Sequence, residues 1–154
     1  MANYNFRKDL PVAKETEKEV AKLLEEHYGV NILSFGDTGA YDILALIKGK
    51  EIKLEVKEDF MCGDTGNVAL EFGCRGKPSG IETTEADFYI YKLHMSNSCI
   101  HYVMQSTKLI REKIACSQYL RKVKGGDKGS NSMNYLFKYN VFIKGASMLP
   151  LDKI

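Results

Sequence analysis

Apolar residues along the chain fall into two periods, one helical and one alternating, and each change of period marks an element. After Pro11, residues Val20, Leu23, Leu24 and His27 recur at helical spacing and Gly29 supplies a terminator, which predicts a helix over Val12 to Tyr28. Glu17 precedes Val20 by three positions and Leu24 by seven, so it shares the apolar side of that helix despite its charge. Glu15, Glu19, Glu25 and Glu26 are expected to face solvent. Val30 to Phe35 reads as a short strand, and Gly36-Asp37-Thr38-Gly39 as a loop.

The clearest pattern follows, in AYDILALIKGKEIKLEVKED. Runs Tyr41 to Ile47 and Lys50 to Lys57 flank Lys48-Gly49, a pair suited to a tight hairpin with a positive-φ residue. A two-residue loop opposes Ile43 to Leu54, Ala45 to Ile52 and Tyr41 to Val56, giving one wholly apolar face. A three-residue loop would set Ile43 against Glu55 and mix apolar with charged partners, so burial favours the first register, subject to a shift by a β-bulge. On the other face the first register opposes Asp42 to Glu55, with Lys57 two residues farther along.

Beyond Lys57, EDFMCGDTG reads as a connection, NVALEFGC as a strand, and RGKPSG as a loop carrying Arg75 and Lys77. A turn over Glu82 to Asp87 leads into an apolar strand, Phe88 to Leu93, hairpinned through HMSNS to a strand over Cys99 to Met104. Ser106 or Thr107 can cap a helix to about Arg121, with Leu109, Ile110, Ile114 and Tyr119 or Leu120 as its buried stripe. KVKGGDKGSNS is then a glycine-rich loop with Lys122, Lys124 and Lys128, and NYLFKYNVFI a last strand or strand pair. These elements predict one α/β domain across all 154 residues, a mixed central sheet flanked by helices.

Composition changes this picture little. With 44% hydrophobic and 27% charged residues the chain has the balance of a globular domain, and a net charge of +2 does not announce a nucleic-acid partner. MANYNFRKDLP lacks the apolar core of a signal peptide and no run approaches a membrane span, so an intracellular, cytoplasmic protein is expected. Cys62, Cys74, Cys99 and Cys116 show no C-x-x-C or zinc spacing and read as thiols. His27, His94 and His101 form no ligand pattern, and the strand tyrosines Tyr89, Tyr91, Tyr102, Tyr135 and Tyr139 suit a core better than base stacking.

Chemistry enters with the charged face of the hairpin. An E-x-K triplet alone describes a solvated amphipathic hairpin. Two carboxylates directly opposed destabilise it unless something sits between them, and a hard divalent cation with oxygen ligands is the usual solution. Lysines among glycines, as in KVKGGDKGSNS, suit either phosphate contacts or a solvated turn.

A helix with an inward Glu17, then Asp42 in GDTGAYD, then Glu55-Val56-Lys57 resembles the PD-(D/E)XK nuclease superfamily. ETEKEVAKLL, GAYDILAL and LEVK are similar to the N-terminal half of archaeal-type Holliday junction resolvases, and the match spans Lys14 to Asp59. GNVALEFGCRGKPSGIETTEADFYIY and GGDKGSNSMNYL look more like small phage-encoded nucleases. Tyr41 stands where the family name has proline, a position that supplies no ligand.

The resemblance implies a restriction-endonuclease-like fold and a metal-dependent DNA endonuclease. Asp42 and Glu55 would bind magnesium or manganese, with the Val56 carbonyl as a further ligand and Glu17 joining directly or through water. Lys57 would orient or deprotonate the attacking water, or stabilise charge on the phosphate. The expected partner is branched or duplex DNA, contacted by Arg75, Lys77, Lys122, Lys124 and Lys128. Junction resolution needs two symmetric cuts and hence a two-fold homodimer. An exonuclease or restriction-type enzyme on the same core, and a catalytically silent DNA-binding module, are the alternatives.

Overall fold

The computed structural model describes residues 6–36, 39–125 and 131–154, with side chains from residue 12 onward. The first helix, α1 (Phe6–Tyr28), starts earlier than the period of its apolar stripe predicts and runs through Pro11, which forgoes one intrahelical bond in the second turn. It stops where predicted. Gly29 adopts φ 64°, its N–H donates to the Glu25 carbonyl at 3.1 Å, and the Val30 N–H reaches back to the Leu24 carbonyl at 3.2 Å.

Strands β1 (Asn31–Phe35), β2 (Ile43–Ile47) and β3 (Lys50–Asp59) form an antiparallel meander. Lys48 (φ 50°) and Gly49 (φ 78°) make the two-residue turn, and Ile43 faces Leu54 and Ala45 faces Ile52, as burial of the apolar face requires. A short helix, α2 (Cys62–Thr65), occupies the stretch read as a connection. After it come β4 (Asn67–Cys74), the two-residue β5 (Lys77–Pro78), a 3₁₀ turn at Gly80–Glu82, and the hairpin of β6 (Phe88–His94) and β7 (Ile100–Ser106).

Helix α3 (Thr107–Ala115) is capped by the Ser106 hydroxyl, which accepts from the Leu109 N–H at 3.2 Å. It ends well short of Arg121. Ser117 turns into the left-handed region at φ 54°, and the chain leaves as strand β8 (Arg121–Gly125) where a loop was expected. The reason lies in its partner and not in its own residues, since β8 pairs antiparallel with the next strand, β9 (Ser132–Lys138). The final apolar run is likewise divided: β9 ends at Lys138 and a helical turn, α4 (Tyr139–Phe142), precedes the unforeseen β10 (Ser147–Leu149).

The fold is mixed α/β, but its strands form two sheets instead of one. The larger has the order β1-β2-β3-β6-β7-β10 and is mixed, because β3 and β6 run parallel while its other pairs are antiparallel. The smaller has the order β5-β4-β9-β8. Alternation along β6 separates two cores. Ile90 joins Leu54 and Val56 beneath Val20, Ala21 and Leu24 of α1, whereas Tyr89, Tyr91 and Leu93 pack against Val68, Leu70 and Phe137 of the smaller sheet and Ile110 and Phe142 of α3 and α4. No helix among the described residues is long and apolar enough to cross a membrane.

Leu24 is fully buried between α1 and the larger sheet, so Leu24→Ala should cost about 2–5 kcal/mol in equilibrium denaturation. A loss well under 1 kcal/mol would mean that α1 is not packed on that sheet as described.

Candidate active site

Glu17 comes from α1, Asp42 from the bend before β2, and Glu55, Val56 and Lys57 from β3. The β2–β3 ladder stops at Ile43, so Asp42 does not sit squarely opposite Glu55, nor Tyr41 opposite Val56, as a continued register would require. The chain bends instead. The Asp42 N–H donates to the Leu54 carbonyl at 2.8 Å, its own carbonyl accepts from the Gly36 N–H at 2.8 Å, and its carboxylate Oδ2 accepts from the Val56 N–H at 2.8 Å. Gly36 makes this bend possible, because a Cβ there would lie 2.2 Å from the Tyr41 carbonyl oxygen. Asp42 is thereby fixed to the backbone of the strand that carries Glu55 and Lys57.

Glu55 is buried, and its Oε1 lies 3.4 Å from Lys57 Nζ. Its Oε2 is buried with no hydrogen-bond partner. Burial raises the Glu55 pKa to about 7; Lys57 opposes the rise, while the charges of Asp42 and Glu17 add to it. Glu17 reaches the same region from α1, whose Val20 and Leu24 pin that face to the sheet. Burial, followed by the charge and hydrogen bonding of Asp42, raises Glu17 to about 7 as well, against the pull of Lys14 at 3.6 Å. Glu17, Asp42, Glu55 and Lys57 therefore form one electrostatically coupled group. Val56 belongs to it through its N–H.

The second sheet packs on the face of the larger sheet that carries Glu55 and Lys57, the face of their register partners Tyr89 and Tyr91. Ala69 at the start of β4 is tied to the far end of β3 and to β6, its N–H donating to Asp59 Oδ2 at 3.1 Å and its carbonyl accepting from the Tyr91 hydroxyl at 2.8 Å. Farther along β4, the charge of Glu71 acts on Tyr89, and Tyr89 is the register partner of Glu55. The segment after the 3₁₀ turn then returns to the site: the Glu85 N–H donates to the Ala40 carbonyl at 3.0 Å, and Asp87 Oδ2 accepts from the Lys53 N–H at 2.8 Å.

The candidate DNA-contacting residues gather beyond Glu71 at one end of the smaller sheet. Cys74 pairs with Lys77 and with Ser132, and Ser132 pairs with Gly125, so Arg75, Lys77 and Lys124 are exposed together there. Lys122 is held differently. Its ammonium sits 5.8–5.9 Å from the ring centroids of Phe72, Tyr119 and Tyr135, a three-sided aromatic setting. Lys128 lies outside the described residues.

Sequence patterning missed Glu71 and Tyr89, because nothing local to β4 or β6 indicates which strand each will face. Glu19 is exposed, as expected, but it is paired at that surface. On the α1 side of the larger sheet, Lys92 Nζ lies 3.0 Å from Glu19 Oε1 and 3.7 Å from Glu58 Oε2, and the Tyr102 hydroxyl donates to Glu19. Burial alone would raise the Glu19 pKa, but the hydrogen bonds from Tyr102 and Lys92 hold it below its usual value. Glu58 also accepts from the Thr16 hydroxyl at 2.8 Å and meets His94 Nε2 at 2.6 Å. This network straps α1 to β3, β6 and β7, and it accounts for His94 as a packed residue. Tyr89, Tyr91 and Tyr135 are buried, as a core reading of the strand tyrosines expects.

A hard divalent cation suits the oxygen-only donors of Glu17, Asp42 and Glu55. The orphaned Glu55 Oε2 fits such an ion, since an unpartnered buried carboxylate oxygen is costly. Among the described residues, however, no three His, Cys, Asp or Glu side chains stand already arranged as a ligand set. No protein-family model matches the chain, and no curated protein matches its sequence.

Proposed function

We propose that this protein is a divalent-metal-dependent deoxyribonuclease on a restriction-endonuclease-like core, hydrolysing phosphodiester bonds of branched or duplex DNA. The observation that carries the reading is Glu55, buried beside Lys57 with Oε2 unpartnered, and electrostatically coupled to Asp42 and Glu17. Three carboxylates in mutual repulsion are costly to a fold, and a dication relieves that cost. Asp42, Glu55 and Glu17 would hold magnesium or manganese with the Val56 carbonyl. Such an ion supplies an acidified water and neutralises charge on the phosphate.

The chain's own groups do the rest. Lys57 Nζ, partly exposed and tethered to Glu55 Oε1, would orient the attacking water and donate toward the pentavalent phosphorane oxygens. The Val56 N–H holds the Asp42 carboxylate in one orientation. Arg75, Lys77 and Lys124 offer phosphate contacts along the DNA on the side where the smaller sheet projects past Glu71. A junction-resolving, structure-selective role follows the similarity of ETEKEVAKLL, GAYDILAL and LEVK to resolvases, and would require a two-fold dimer.

Calorimetry with manganese tests the site itself. Binding should be present in the native protein and greatly weakened by Asp42→Asn or Glu55→Gln; unchanged binding in both variants would discard it. For the DNA surface, replacing Arg75, Lys77 and Lys124 by glutamine should lower the magnitude of the slope of log affinity against log salt by about 2 to 3, at about 0.9 per phosphate contact. An unaltered slope would move the DNA path elsewhere.

A further inference from the structure

Tyr89 is fully buried in the core between the two sheets, and its hydroxyl has no hydrogen-bond partner. A phenol in that position normally finds one, because an unpaired buried donor retains its full desolvation cost. Glu55 Oε2 is a buried acceptor in the same condition. The two residues are register partners in the parallel pair of β3 and β6, so their side chains emerge side by side on the same face.

The surroundings favour this partner over others. Besides burial, the charge of Glu55 and, less strongly, that of Glu71 raise the Tyr89 pKa, while Arg111 and the side chain of Thr84 oppose the rise. Glu71 already accepts from the Ser79 hydroxyl, at 3.0 Å on Oε2. Arg111 is committed to backbone carbonyls, those of Ile81 at 2.9 Å and Thr84 at 3.2 Å. The Thr84 hydroxyl accepts from the Ala86 N–H at 3.1 Å and donates to the Ala40 carbonyl at 3.4 Å. Among the described residues, Glu55 Oε2 is the buried carboxylate oxygen near this phenol that has no hydrogen bond of its own.

We propose that Tyr89 is a positioning residue for Glu55: its hydroxyl donates to Glu55 Oε2, directly after a small rotation or through one water, and fixes the carboxylate plane. This rests on the nuclease reading for its consequence, though the contact itself does not. Each carboxylate oxygen has two acceptor sites, so Oε2 takes the Tyr89 hydroxyl on one and leaves the other for a cation, while Oε1 stays beside Lys57 Nζ at 3.4 Å. Such outer contacts to a ligating carboxylate set its orientation, and their removal typically weakens metal binding by about 10- to 100-fold.

Tyr89→Phe keeps the ring and removes only the hydroxyl. In metal-free protein, thermal unfolding of the native chain, Tyr89→Phe, Glu55→Ala and the double variant forms a cycle. The two single shifts in Tm should fail to add by about 3 °C or more, the value expected for a hydrogen bond to a charged group in a domain of this size. Manganese calorimetry on Tyr89→Phe should show about 10-fold weaker binding, and cleavage should lose kcat with KM for DNA unchanged. Additive Tm shifts overturn the proposal whatever the metal data show. Coupled shifts with unaltered manganese affinity limit Tyr89 to a structural contact and overturn its positioning role. If the native chain binds no manganese, the nuclease reading fails and the positioning role falls with it, while the Tm cycle still decides whether the contact exists.

Discussion

Glu55→Gln should abolish metal-dependent DNA cleavage, lowering the rate by about 10²-fold or more, while the protein remains folded. The side chain keeps its shape, and the variant removes a charge that burial and the neighbouring carboxylates already disfavour. The stability change should therefore be small or favourable without metal, and the loss should fall on ion binding and rate. The pH dependence separates the two effects. Glu17 and Glu55 each have a pKa raised to about 7, so the folded chain holds their protons more tightly than the unfolded chain does. Their contribution to stability is complete below about pH 4.5 and is lost as pH rises through about 7. Metal-free Tm should accordingly fall between these values, less steeply in Glu55→Gln. Cleavage should rise over the same interval, because a cation competes with those protons. Equal pH slopes in the native chain and Glu55→Gln would remove Glu55 from the coupled group.

Lys57→Ala should lose most cleavage, by about 10²-fold or more if its ammonium takes part in proton transfer, and still shift DNA in a gel. Its place supports this division. Lys57 Nζ lies 3.4 Å from Glu55 Oε1, and its side chain is 39% exposed, enough to meet a substrate at the edge of the site. Removing it also takes away the cation that opposes protonation of Glu55, so metal binding should weaken modestly while DNA affinity holds. Near-normal rates would shift attention to Lys53, which instead lies 3.9 Å from Glu85 and over the Tyr41 ring at 5.3 Å.

The first third of the chain was legible because its information is local. A two-residue turn at Lys48-Gly49 and one apolar face suffice to set Ile43 against Leu54, and the spacing of Glu17 from Val20 and Leu24 suffices to turn that carboxylate inward. The bend at Asp42 was not legible, since it depends on Gly36 meeting the Tyr41 carbonyl across a loop. The smaller sheet was hidden for a related reason. Pairing of Leu70 with Tyr135 joins strands far apart in sequence, and Arg121 to Gly125 carries few apolar residues to suggest a strand until β9 lies beside it. Tyr89 read as core, which is correct for its ring and silent about its hydroxyl.

The central claim is that a divalent cation and this carboxylate group cut DNA. Incubation of the protein with labelled four-way junction, flap, linear duplex and single strand, with and without magnesium, tests it most directly. The account predicts magnesium-dependent cleavage that disappears in Asp42→Asn and Glu55→Gln, with the four-way junction cut by paired, symmetric nicks. Cutting confined to linear ends or duplex would retain the site and replace junction resolution by an exonuclease or restriction-type role. Binding to these DNAs with no cleavage in magnesium or manganese would contradict the account and leave a DNA-binding module.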